Sequence, residues 1–503
     1  MKCDEVLKNS LFTFFLCNKN ETFNALPKHI DFGDYRLWLS EKTEADITEK
    51  NGRTVAIVGL CIDSRAEINI NIPAFILDNS KSLQDVLRIE GRFAGKYVLI
   101  YEENCNLYII GDATCSIPVN YCVNDQFAVS SSSELIAARF GFCHSHEYLE
   151  IRRASDVSQA LPYNITLYKE VEQLLPNHYF DVSKRRSFRF TLNSCGNLSI
   201  GDAARMTAEL IHNITKEYAN RCKLICPLTS GKDSRVVLAF LRRHVNDLIC
   251  YTIKHRKFRS DEPDLVIPKE IARKLGIEYK QVEDSEVPEN IIESFDGLFG
   301  KDLYSKYTLM NAYTIKDNFK DFAIVNGDII GQIGKSSLHR NIPDKWASTS
   351  YFMCKLHNNS KKAKVYLKKW YKNAKCADDV SIMDKFSWEI RLGRWAGQEN
   401  AIYNILGVLY LNIFNCRDII IAWTQTDRKL RKNSGLHKGI LSIVDSELLD
   451  IPFGSDRNLL YRIARSSDFA FFISSFLKHW FCKGLFYLGK KGGWNEKANN
   501  NSR

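Results

Sequence analysis

The stretch 223–243, KLICPLTSGKDSRVVLAFLRR, constrains the chain more than any other. An apolar β-type run ends in a turn of small residues, and an apolar run at helical spacing follows at once. A strand that feeds a helix through such a turn is the repeating unit of a parallel sheet. The turn also has a chemical consequence. Small residues leave backbone N–H groups open at the positive end of the helix, which makes an anion site. The letters Gly231-Lys232-Asp233-Ser234 fall short of the G-x-x-x-x-G-K-[ST] loop that grips a nucleoside triphosphate. Cys226 stands five residues before Gly231, and Asp233 follows the lysine. A carboxylate at that point suits Mg2+ shared with a phosphate.

The surroundings agree with a parallel sheet. A helical pattern behind Ser199 precedes a strand at 223–228. A helix at 234–243, a strand at 248–253, a helix at 263–275 and a strand at 278–283 follow. This alternation predicts a doubly wound α/β sheet with ligands at the carboxyl ends of its strands. The chain before about residue 190 reads differently. VAIVGLCID, GKYVLIYEE, NLYIIGD and QFAVSSS, then ITLYKEVEQL and HYFDV around LPN at 175–177, predict a packed antiparallel system. From about 340 onward the pattern is mostly helical. Three regions are expected: 1–190, 200–460 and 461–503.

At 503 residues the chain is long enough for two or three domains, and 45% hydrophobic residues fill real cores. The net charge of +11 is dispersed, apart from a basic tail after Gly489, and reads as solvated surface rather than a nucleic-acid face. Fifteen cysteines without a C-x-x-C pair suit free thiols in a reducing cytoplasm, not a disulfide or zinc framework. No signal peptide is evident. The run FAFFISSFLKHWFCKGLFYL (469–488) contains Lys478, His479 and Lys483, which suits a membrane span poorly. It is expected to pack on the core rather than lie on a membrane.

The turn Thr229-Ser230-Gly231-Lys232-Asp233-Ser234 resembles the pyrophosphate loop [ST]-G-G-x-D-S of the asparagine synthetase-like ATP pyrophosphatases, with Ser230 in place of the first glycine. EPDLVIPKEIARKLGIEY (262–279) resembles that family's P-D-L…A-x-x-L-G helix. IVNGDIIGQIG (324–334) stands where the family has S-G-E-G-x-D-E. EGRFAGKYVLIYEE, GDATCSIPVNYC, FAVSSSSELIA and TLYKEVEQLLPNHYFDV resemble, in order, its class II amidotransferase-like domain. The resemblance spans most of the chain. It implies an Ntn-hydrolase-like antiparallel β-sandwich, then an ATP-pyrophosphatase domain with a helical C-terminal part.

The resemblance also implies an activity, ATP-dependent amide formation. A carboxylate attacks the α-phosphorus, pyrophosphate leaves, and an amine or ammonia displaces AMP from the acyl-adenylate. Thr229, Ser230, Gly231 and Ser234 would supply N–H and hydroxyl donors, and Asp233 a contact to Mg2+. Lys232 or Arg235 would touch phosphate. Leu228, Ile253 and the Asn326-Gly327 backbone match adenosine-contacting positions, and Asp328 matches a catalytic acid. The implied partners are a sugar, peptide or amino-acid carboxylate and an amine donor. A tRNA-modifying ATP pyrophosphatase and a non-enzymatic nucleotide-binding descendant are the alternatives.

Two departures bear on this reading. A class II glutaminase needs an N-terminal cysteine nucleophile, whereas Cys3 follows Met1 and Lys2, and a lysine second blocks methionine removal. The front domain is therefore expected to be a scaffold without glutaminase activity. Gly331 and Gln332 occupy acid positions of the second loop, which leaves Asp328 as its sole acid. Glu389, Arg391 and Arg394 are expected to be salt-bridged surface residues. Lys438 and Arg457 are candidates for a lysine that steadies pyrophosphate.

Overall fold

The computed structural model describes residues 3–68, 71–155, 161–191, 197–256, 258–301, 303–376, 380–454, 463 and 467–489. Cys3 begins a helix, Cys3–Lys8, but its side chain lies outside what is described, as do Arg457 and the basic tail.

The front half is an antiparallel sandwich of two six-stranded sheets. One is built on Phe14–Asn18, Lys28–Phe32 and Tyr35–Leu39. The other is built on the long pair Arg53–Asp63 and Phe93–Glu103. That pair is apolar on both faces because both are covered, so it lacks the usual in–out alternation. Ala56, Val58, Val98 and Ile100 meet Phe14, Leu16, Leu37 and Leu39 between the sheets. Val55, Ile57, Leu99 and Tyr101 point outward and belong to a second core with residues of the helices Ile72–Asn79 and Leu83–Glu90. The helix Ser133–Phe140 contributes Leu135 and Ile136 to a third core with Phe15 and Cys17.

The back half carries a five-stranded sheet in the order Glu278–Glu283, Ile249–Lys254, Lys223–Pro227, Phe322–Asn326, Tyr410–Asn412, with every pair parallel. Successive residues point to opposite faces. Leu224, Cys226, Cys250 and Val325 join the core that holds the helices Ile200–Arg221, Lys232–Leu241 and Gly435–Val444. Ile225, Tyr251, Val282 and Ile324 join the one that holds Glu289–Phe299 and Lys306–Asn318. The sheet is doubly wound, as the alternation of patterns predicts. Helix Pro263–Leu275 and strand Glu278–Glu283 have the predicted bounds. Strand Tyr410–Asn412 interrupts the mostly helical region after about 340 and completes the sheet.

The core of the outer sandwich face continues into the parallel sheet without a break, joining Leu99 and Tyr101 to Leu224 and Val236 in one cluster. Charges are buried along the same seam. Glu389 takes Arg189 on both oxygens, at 2.7 and 2.8 Å, and the Trp370 indole N–H at 2.8 Å. Arg417 binds Glu90 at 2.5 and 3.2 Å. Asn415 donates to the Gly95 carbonyl at 2.6 Å and to Asp112 at 2.9 Å. Arg394 donates to the carbonyls of Leu161 and Ile165 and to Gln173. Glu389 and Arg394 are therefore buried, which corrects their expected place on the surface. The π-helical run Phe386–Ala396 turns both into the joint between the halves. Arg391 stacks on Trp395 at 4.3 Å.

Every described cysteine is a free thiol. Helix Asp468–Gly489 packs Phe472 and Phe476 on Tyr351 and Phe472 on Trp346, as expected of a core-packed helix. Among the described residues no helix is long and apolar enough to cross a membrane.

Candidate active site

The turn at 228–234 is braced from behind. The Leu228 N–H donates to the Tyr251 carbonyl at 2.8 Å, and the Leu228 carbonyl accepts from the Thr252 hydroxyl at 2.6 Å. Gly231 caps the helix Lys232–Leu241 with no side-chain bond to the first-turn N–H groups, which need partners. Ser234 Oγ accepts the Thr229 N–H at 3.1 Å, and Thr229 Oγ1 accepts the Gly231 N–H at 3.2 Å. Ser230 donates both its N–H and its hydroxyl to Asp264, at 2.8 and 2.6 Å. Arg235 corrects the expectation that it touches phosphate. Its guanidinium is buried, donates to the carbonyls of Ser230, Leu448, Ile451 and Pro452, and lies 4.1 Å from the Phe453 ring centre. It anchors the turn to the segment 448–452.

Asp233 faces outward from the first helical turn and meets His437 Nε2 at 2.6 Å. The His437 ring is buried, and its Nδ1 has no partner. Burial pushes the Asp233 carboxyl up, yet the His437 bond and the Lys335 and Lys232 charges hold it below the usual carboxylate range. Burial draws Lys232 down, as do the charges of Lys335 and Lys438 beside it. Lys232 and Lys335 thus bear on one carboxylate at a helix start with no side-chain cap, and Lys438 bears on Lys232, a field suited to an anion of several charges.

The second loop is pressed against the first. A Cβ on Gly327 would sit 3.0 Å from Val237 Cγ2 and 3.1 Å from the Asp233 carbonyl. A Cβ on Gly331 would collide with Asp233 Oδ2. The Asp233 carboxylate fills the space that a side chain at Gly331 would need. Asn326 is a buried brace. Its amide donates to the Leu411 carbonyl at 2.7 Å, and its oxygen accepts from Asn412 at 2.6 Å and from the Asp328 N–H at 3.1 Å. The Asp328 side chain is exposed just past the carboxyl end of its strand and accepts the Tyr410 hydroxyl at 3.0 Å. Burial and the Asp328 charge push the Tyr410 phenol well up, so it stays a donor.

A further group sits at the same edge. His255 and Asp284 each follow directly on the last residue of adjacent parallel strands. His255 Nδ1 lies 2.8 Å from Asp284, and its Nε2 lies 2.9 Å from the Tyr307 hydroxyl. A carboxylate that fixes one ring nitrogen leaves the other to take a proton from the phenol. Ile253, half-buried, lies two residues before His255. Sequence reasoning missed His437, Asp264, Tyr410 and this trio. A polar residue directly after each β-run, at the turn's end of the sheet, was the signal for His255 and Asp284.

No family model matches the chain, and no curated protein sequence does. Among solved structures it is similar to an NH3-dependent NAD synthetase from Campylobacter jejuni at 12% identity and a TM-score of 0.19, over 26% of this chain and 60% of that one. It is also similar to a glutamine phosphoribosylpyrophosphate amidotransferase from B. subtilis at 9% identity and 0.22, over 58% and 68%. A U34-tRNA thiolase from Methanococcus maripaludis matches at 16% and 0.18, over 33% and 64%. Superpositions this loose establish neither a shared family nor a shared activity.

Proposed function

We propose that the chain is an ATP-dependent amide-forming ligase of asparagine synthetase type, which activates a carboxylate as acyl-adenylate with release of pyrophosphate. The observation that supports this most is the turn at Gly231, which has no side-chain cap and where Lys232 and Lys335 bear on Asp233 and Lys438 on Lys232. Backbone N–H groups of the turn and these lysines would hold the leaving pyrophosphate. Such donors stabilise charge most where it develops. Asp328, aligned by Tyr410, faces the open edge and would offset the positive charge on an attacking amine. The Asp284–His255–Tyr307 trio would accept its proton.

A magnesium ion fits in one limited way. Among the described residues no three His, Cys, Asp or Glu side chains gather to hold a metal. Asp233 has one oxygen on His437 and the other against Gly331. Mg2+ is often held by one carboxylate with phosphates and waters, so Asp233 would hold it only with the nucleotide present. When bound, it would offset charge on the phosphates. In this reading the front sandwich is a scaffold, and sugars, peptides or amino acids with a carboxylate are the substrate class.

The His437 bond on Asp233 also favours a second reading, a nucleotide-binding descendant without catalysis. One experiment separates them. Purified protein is given ATP and Mg2+ with a panel of carboxylates and amines, and the nucleotide products are resolved. AMP and pyrophosphate, lost in Asp233→Asn, are expected. ADP and phosphate would refute the reading. ATP binding without cleavage across the panel would leave the descendant. With a productive pair, Asp328→Asn should lower amide formation about 10²- to 10³-fold while pyrophosphate–ATP exchange persists.

A further inference from the structure

Among the described residues, helix Asp468–Gly489 packs apolar side chains on the core and leaves others largely exposed. Phe472 and Phe476 pack against Tyr351. Phe469, Ile473, Leu477 and Trp480 recur at spacings of four, four and three and are 60%, 39%, 64% and 78% exposed, Phe469 at the edge of the packed side with its ring 5.8 Å from that of Trp346. Isolated exposed apolar residues are ordinary. Four large ones in a row along a single helix mark an interaction surface.

The neighbouring chemistry says what that surface meets. Helix Thr349–Leu356 packs against both this helix and the helix Lys361–Lys375. The latter, KKAKVYLKKWYKNAK, has seven lysines and no acid. All seven are exposed, and among them Lys362 pairs with Glu150. Lys478 adds an exposed cation on the stripe's own helix. Apolar side chains that include a tryptophan, next to a concentrated lysine field, suit a surface that is oily below and negatively charged above. Single-stranded RNA would use the lysines, but Ile473 and Leu477 offer bases no stacking plane. A second copy of the chain would bring its own lysines to the same contact.

We propose that this face docks on an anionic lipid bilayer, with Phe469, Ile473, Leu477 and Trp480 in the interface and the lysine helix over the headgroups. The helix lies on the bilayer and does not cross it. The inference stands apart from the nucleotide chemistry, so either can fail without the other.

The test is co-sedimentation of the full chain with phosphatidylcholine vesicles, with and without phosphatidylserine. Binding is expected only with phosphatidylserine and should weaken as salt rises. Leu477→Asp with Trp480→Asp should abolish it, and Lys368→Glu with Lys369→Glu and Lys372→Glu should weaken it about tenfold or more. All five side chains are exposed, so unchanged circular dichroism and thermal unfolding are expected to show intact folding. No pelleting with anionic vesicles at low salt would overturn the proposal. So would pelleting that survives the Leu477/Trp480 substitution. Binding of polyuridylate unaffected by that substitution, with no vesicle binding, would assign the lysines to nucleic acid. A dimer by light scattering that the substitution dissolves, again without vesicle binding, would assign the stripe to a second copy.

Discussion

Two regions of this protein combine the same residue types, carboxylates with arginine, lysine and histidine, and use them in opposite ways. At the seam between the halves, Glu389 and Glu90 are buried and each is matched on both oxygens by an arginine. At the turn, Asp233 meets His437 on one oxygen and is partly open to solvent, and the exposed Asp328 accepts from Tyr410. The seam's charges satisfy one another, so they cannot serve a ligand. At the turn Lys232 and Lys335 bear on one carboxylate and Lys438 bears on Lys232, an excess of positive charge that an anion from solution would offset. The burial of a charge, rather than its type, separates scaffold from site.

The sharpest way to break this comparison is Glu389→Ala. Removing one partner of a buried pair leaves the other uncompensated, at about 3–5 kcal/mol. Chemical denaturation should show a loss of that size. A loss below about 1 kcal/mol would mean that water reaches the seam and that the contrast with the turn is false.

Acid should divide the regions in the same way. Burial pushes the Glu389 carboxyl up, but the Arg189 charge and hydrogen bonds bring it from 4.5 to about 2. A depressed folded value gives stability that is present above pH 4.5 and is lost as pH falls toward 2. The wild-type unfolding free energy should fall across that window, and Glu389→Gln should flatten this part of the fall. A Glu389→Gln curve parallel to wild type would show that other groups set the acid limit.

The smallest effect belongs to the turn. Asp233→Asn keeps size and a hydrogen bond to His437, and the side chain is 40% exposed. Stability should change by about 1 kcal/mol or less. A loss as large as that of Glu389→Ala would make Asp233 a structural residue and weaken its proposed role.

Much of the fold was legible in the sequence, and less of the site. Helix Pro263–Leu275 announces itself with Pro263 at its start and Gly276 at its end, and the strand after it is bounded by the same glycine. The turn at 229–234 was legible because a β-type run and a helical run meet there through Thr229, Ser230 and Gly231. Strand Tyr410–Asn412 is three residues long, too short for any period to register. Glu389 sits in EIRLGRW, where alternating charges on a helix suggest solvent, and its partner lies 200 residues away. Nothing local encodes that meeting. Gly331 read as a lost acid, whereas the Asp233 carboxylate occupies the space its side chain would need. The dispersed lysines hid a cluster of seven within fifteen residues.

The buried seam also sets a timetable for the ribosome. Glu90, Gly95 and Asp112 emerge early, yet their partners Asn415 and Arg417 come last, and Glu90 waits 327 residues for its arginine. At about 5–20 residues per second, the sandwich edge stands uncovered for roughly 15–65 s of synthesis. Through that interval a carboxylate made for burial faces water, which is where it is comfortable. A sandwich released by truncation before residue 415 would keep that wet, apolar-backed edge permanently. Full-length synthesis closes it.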